Sequence, residues 1–121
     1  MVLGMSILDS TLAVGERAAL DELVRRVRAR YGDRVRKIAV FGSRARGDVT
    51  EESDIDVAIV LAGQVGLRER SDINGIAWDV VLALPAPVEL SPRTLGEREY
   101  RRLVDEEWRI GLDIEREGVP L

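Results

Sequence analysis

The chain has 121 residues, 45% of them hydrophobic and 33% charged, which gives enough apolar material for one core and too little length for two. A formal charge of -4 and a pI near 5.0 disfavour general attraction to polyanions, so strong general nucleic-acid binding is not expected. With no cysteine and no histidine, the sequence excludes disulfides, thiolate and imidazole metal ligands and every histidine-based triad, so carboxylates must carry any metal or base chemistry.

Residues 1–15 read as an N-terminal extension without the pattern of a secretory signal, and residues 16–121 as a single domain. No run of 18 apolar residues occurs anywhere, so a cytoplasmic protein with no membrane span is expected. Leu20, Leu23, Val24 and Val27 fall at the spacing of an amphipathic helix over 16–31, closed by Gly32-Asp33. Its arginines, Arg25, Arg26, Arg28 and Arg30, lie mainly off that stripe and read as a solvated face. Val35 to Phe41 reads as a strand whose run Ile38-Ala39-Val40-Phe41 suits burial on both faces, and it stops abruptly at Gly42-Ser43. After a polar connection, Asp54 to Leu61 resumes a strand pattern rich in isoleucine and valine.

A helix is predicted over 67–84, broken by Pro85 and Pro87, and a short third strand over 88–90. Ser91-Pro92 reads as the start of another helix. Tyr100, Leu103, Val104, Trp108, Leu112 and Ile114 suggest a helix or helix pair ending at Gly118. Trp78 and Trp108, at helical spacing, are expected in the core rather than on a partner surface. The alternation of elements gives an α/β (α+β) class.

Two segments carry chemistry. A buried strand ending in Gly42-Ser43 and turning into a short helix offers unpaired backbone N–H groups and a hydroxyl to phosphate oxygens, with the glycine permitting close approach. Asp54 and Asp56 are two positions apart in a strand, so both carboxylates are expected on one face, with Ile55 turned into the core. Oxygen-only ligands select Mg²⁺ or Mn²⁺. Either feature alone is more often a plain turn or a solvated strand start, but their conjunction across one short polar connection points to a nucleotide and metal site.

Gly42-Ser43-Arg44-Ala45-Arg46-Gly47 and Ser53-Asp54-Ile55-Asp56 resemble the signature of the polymerase beta-like nucleotidyltransferase superfamily, and the small size resembles its minimal branch, the MNT proteins. The resemblance implies a small mixed β-sheet of about three to four strands with helices packed against it. It further implies that Gly42 and Ser43 contact the triphosphate of ATP or another NTP and that Asp54 and Asp56 bind the metal ions. Arg46 matches the motif's arginine and either holds a phosphate or braces the loop against an acidic neighbour, whereas Arg44 is expected to be solvated. The third carboxylate of the superfamily has Glu89 as its candidate, with a solvent-facing strand residue as the competing reading.

The expected reaction transfers a nucleoside monophosphate, AMP from ATP, to an acceptor hydroxyl. In the minimal branch the resemblance implies a small helical HEPN toxin as the acceptor partner. Two alternatives stay open: an inactive binding module or antitoxin that acts by contact, and transfer to a small molecule of the aminoglycoside type. A homo-oligomeric state is compatible with the sequence.

Overall fold

The computed structural model describes residues 12–47, 54–85 and 88–121. Among them a four-stranded mixed sheet in the order β3-β2-β1-β4 is flanked by five α-helices. Helix α1 (Val14–Tyr31) leads into β1 (Val35–Phe41), the one-turn α2 (Ser43–Arg46) and β2 (Ile55–Leu61). Helix α3 (Leu67–Leu82), β3 (Leu90–Gly96), α4 (Glu97–Asp105), α5 (Arg109–Leu112), a π-helical turn over Asp113–Glu117 and β4 (Val119–Pro120) complete the order.

Strand β1 pairs antiparallel with both β2 and β4, and β2 pairs parallel with β3 across the α3 crossover. The strand-long apolar runs of β1 and β2 follow from burial on both faces. On one face Ile38, Val40, Ile55, Val57 and Ile59 pack against Leu20, Leu23 and Val27 of α1 and Ile73, Ala77 and Val80 of α3. On the other, Phe41, Ala58 and Val60 pack against Leu95, Tyr100 and Ile114. A buried leucine or isoleucine in such a core contributes roughly 1.5–3 kcal/mol, so these two clusters fix the sheet that carries the site.

The arginine face of α1 behaves as a solvated surface. Arg25 and Arg26 both bind Glu22, at 2.6 and 2.7 Å, and Arg30 reaches Asp72 of α3 at 2.9 Å. No helix among the described residues is long and apolar enough to cross a membrane.

Three expectations are corrected. Ser91-Pro92 does not begin a helix: both residues lie in β3, where Ser91 pairs with Asp56 and Pro92 with Val57. Proline is tolerated there because β3 is an edge strand, whose outer side needs no N–H donor, and the pairing with β2 outweighs the local helix-start signal. The helix begins only at Glu97, with Glu97 and Glu99 in its first turn. Trp78 and Trp108 are not core residues but are 63% and 58% exposed. Arg44, expected in solvent, is buried, because its guanidinium forks onto the Glu16 carboxylate at 2.8 and 3.0 Å.

Candidate nucleotide site

Strand β1 delivers the chain to Gly42 with a buried Phe41 behind it. Gly42 has φ +77° and ψ -152°, a conformation that L side chains avoid. A β-carbon there would stand 2.5 Å from Asp56 Oδ2. Glycine is therefore demanded twice at this position, by the backbone angle and by the neighbouring carboxylate. The chain then closes one turn of helix, with the Arg46 N–H donating to the Gly42 carbonyl at 3.1 Å, and leaves it through a left-handed Gly47.

Asp56 faces Phe41 across the β1–β2 ladder and Ser91 across the β2–β3 ladder. Together with Phe41, Gly42, Ser43, Arg46, Arg93, Arg109 and Asp113 these residues line a cavity of about 310 Å³. Burial pushes the Asp56 carboxyl up from its ordinary range, and the charge of Asp54 pushes it further, while Arg93 and Arg46 pull it down. Arg46 also pairs with Glu117 at 3.3 Å and Arg109 with Asp113 at 3.7 Å, so the C-terminal segment closes one side of this cavity.

Asp54 and Glu89 stand at the ends of their strands, where the parallel register sets Ile55 beside Leu90 and the Ile55 N–H donates to the Glu89 carbonyl at 2.9 Å. A hydrogen bond that the protonated Glu89 carboxyl donates to Asp54, with the charge of Asp54, raises the Glu89 carboxyl above its usual range. Strand β2 begins at Ile55, so Asp54 is not held by the alternation of the strand. It lines a second cavity, of about 510 Å³, with Glu89, Leu90, Pro92 and, from α3, Asn74, Ala77, Trp78 and Val81.

The predicted residues thus fall into two neighbouring sets, with Gly42, Ser43, Arg46 and Asp56 around one cavity and Asp54 with Glu89 at the edge of the other. Ile55 is fully buried on the opposite face, in the core. Among the described residues no three carboxylates close around one point as a metal cluster does. The donor chemistry nevertheless suits a hard divalent cation, since all donors are carboxylate oxygens, and the charge of Asp54 contributes to raising both Asp56, after burial, and Glu89, after its hydrogen bond to Asp54. Arg93 and Arg109 were not singled out from the sequence. Alternation along β3 could have drawn attention to Arg93 only once Ser91 was known to be in a strand, and nothing local marks Arg109.

The family model described as "Nucleotidyltransferase domain" matches residues 20–111, which takes in the Gly42 loop, both aspartates, Glu89 and Arg93. The chain belongs to this nucleotidyltransferase family. Three proteins of Methanocaldococcus jannaschii, each named "Putative protein adenylyltransferase", are similar to it. One is 51% identical over 47 residues, which cover 39% of this chain and 47% of that relative. Another is 32% identical over 92 residues, covering 70% of this chain and 61% of the relative. A third is 32% identical over 82 residues, covering 68% and 81%. The matched part thus spans about half to three fifths of the first two relatives. A crystal structure named as that of a putative nucleotidyltransferase from Sulfolobus solfataricus superposes with a TM-score of 0.60 at 22% identity, covering 99% of this chain and 89% of that one. At that identity the superposition speaks for the nucleotidyltransferase fold alone.

Proposed function

We propose that this nucleotidyltransferase transfers a nucleoside monophosphate, AMP from ATP, to a hydroxyl group of a partner protein and releases pyrophosphate. The observation that carries this reading is the back-to-back packing of Gly42 and Asp56, which sets a phosphate-binding loop against a carboxylate in a cavity that also holds Arg46, Arg93 and Arg109. Gly42 and Ser43 present backbone N–H groups and a hydroxyl to the phosphates, and the arginines balance the phosphate charge. The acceptor oxygen attacks the α-phosphorus; as that bond forms, the bond to the bridging oxygen of pyrophosphate breaks. The hydroxyl proton passes to the Asp54–Glu89 carboxyl pair. Mg²⁺ or Mn²⁺ bound by Asp54, Asp56 and Glu89 would neutralise triphosphate charge and make the acceptor hydroxyl more acidic.

The similarity to three proteins named as putative protein adenylyltransferases supports a protein acceptor, and the small helical HEPN toxin implied by the resemblance is the first partner to test. The test incubates the chain with Mg²⁺, labelled NTPs and that partner and reads the partner by mass spectrometry. An added nucleoside monophosphate that disappears with Asp56→Asn is expected. An adduct that persists unchanged in Asp56→Asn, or none with any NTP or metal, counts against transfer.

A second reading, an antitoxin acting by contact alone, draws support from the separation of Asp56 from Asp54 and Glu89, with no closed group of three carboxylates among the described residues. Partner neutralisation that survives Asp54→Ala would favour it over catalysis.

A further inference from the structure

The two cavities beside the aspartates differ in chemistry and lie on opposite faces of β3. Ser91 and Arg93 line the first, whereas Leu90 and Pro92, the alternate residues of the same strand, line the second. The first carries three arginines, the chemistry for a polyphosphate. The second is walled by Ala77, Trp78, Val81, Val88, Leu90 and Pro92, and its charged groups are the carboxylates of Asp54 and Glu89, which repel a polyanion. Displacement at phosphorus sets the attacking and leaving oxygens roughly in line, on opposite sides of the atom transferred. A triphosphate whose leaving end lies among Arg46, Arg93 and Arg109 must therefore be attacked from the side of Asp54.

We propose that the groove between α3 and the start of β3, walled by Trp78 and ending on Asp54 and Glu89, is the docking site of the acceptor: a hydroxyl-bearing protein side chain flanked by apolar or basic residues. The apolar wall receives the flanking residues, and the carboxylates at its end receive the hydroxyl as a hydrogen-bond donor. Asn74 adds an amide to the same wall. The occupied surface continues outward along α3, where Leu82, one turn beyond Trp78, is also 63% exposed. Exposed apolar side chains beside the carboxylates of Asp54 and Glu89 are the composition of an interface core, and the acidic groove end selects against acidic partners. This inference rests on the transfer reading for the identity of the occupant.

The first experiment reads binding and needs no turnover. Trp108→Phe leaves Trp78 as the single tryptophan, and its fluorescence is titrated with short Tyr- and Ser-containing peptides flanked by apolar, basic or acidic residues, with and without ATP and Mg²⁺. Saturable changes with apolar and basic peptides, undiminished by ATP, are expected. No change with any peptide, a preference for acidic ones, or a change with ATP alone that peptides compete away overturns the proposal, the last outcome assigning the groove to the nucleobase.

The second experiment measures transfer to the best-bound peptide. Trp78→Ser is expected to raise KM for the peptide at least about tenfold, the effect of truncating a large aromatic at an interface centre, while KM for ATP stays unchanged. An unchanged peptide KM overturns the groove assignment although transfer stands. Peptide binding without any nucleotide transfer overturns the transfer reading and leaves the groove as a contact surface.

Discussion

Arg44 and Glu16 join the loop after Gly42 to the start of the first helix. The Glu16 carboxylate accepts the Ala13 N–H at 2.9 Å, capping α1, and at the same time receives the two terminal nitrogens of Arg44 at 2.8 and 3.0 Å. One acidic residue therefore caps α1 and holds α2, the turn that carries Ser43. The Arg44 hydrogen bond keeps the Glu16 carboxyl below its ordinary range against the opposing effect of burial.

Glu16→Ala is expected to destabilise the fold by about 2–3 kcal/mol, the magnitude of losing a charged hydrogen-bond partner from a largely buried pair. Glu22→Ala, which breaks an exposed pair on the same helix, should be close to neutral. Urea unfolding of both variants checks the contrast. A carboxyl whose folded pKa is lowered supplies stability above its unfolded value of 4.5, lost as the pH falls through the folded one. The difference between wild type and Glu16→Ala should accordingly shrink on acidification below pH 4.5.

Gly42→Ala meets both a positive φ and the Asp56 carboxylate. The left-handed backbone alone costs about 1–2 kcal/mol, and the contact forces the loop or Asp56 to move. Transfer should fall by about 100-fold, as expected for an ångström-scale misplacement of reacting groups, with a smaller proportional change in thermal midpoint. A variant with wild-type turnover would show that the loop position is not what matters.

Asp54 and Glu89 act in the opposite sense to Glu16. The hydrogen bond that the protonated Glu89 carboxyl donates to Asp54, together with the charge of Asp54, raises the Glu89 carboxyl, so the folded chain holds that proton more tightly than the unfolded chain does. The stabilisation is complete below 4.5 and is lost as the pH rises through the raised value. In chelator, the thermal midpoint of Glu89→Gln should gain on that of wild type as the pH rises from about 4 to about 8. Added Mg²⁺ with ATP should narrow the gap by stabilising wild type more. Identical midpoints across the range would remove the like-charge account of this pair.

Arg93 pulls the Asp56 carboxyl down and faces the same cavity. Arg93→Gln is expected to raise KM for ATP roughly tenfold, the loss of one charge-assisted hydrogen bond. It should also move the acid limb of the kcat/KM profile to higher pH, because Asp56 then ionises later. A raised KM with an unmoved acid limb would mean that Arg93 binds phosphate without tuning Asp56.

Much of the site was legible in the sequence because its parts are local. The apolar run of β1, its stop at Gly42-Ser43 and the Asp-Ile-Asp start of β2 are short-range patterns. The antiparallel pairing of these strands then brings Asp56 beside Phe41 and Gly42. The helices over Val14–Tyr31 and Leu67–Leu82 followed equally from periodicity. The parallel register of β2 and β3 was not legible, and that register alone brings Glu89 beside Asp54, keeps Ser91 and Pro92 extended, and sets Arg93 in the cavity of Asp56. It depends on partners 35 residues apart, such as Ile55 and Leu90, and local propensity, which favoured a helix at Ser91-Pro92, gives no account of such a contact. Burial of Arg44 and exposure of Trp78 were hidden for the same reason. Whether a side chain meets solvent is decided by what packs over it, and only the tertiary structure sets Glu16 over Arg44 and leaves Trp78 at the edge of an open groove.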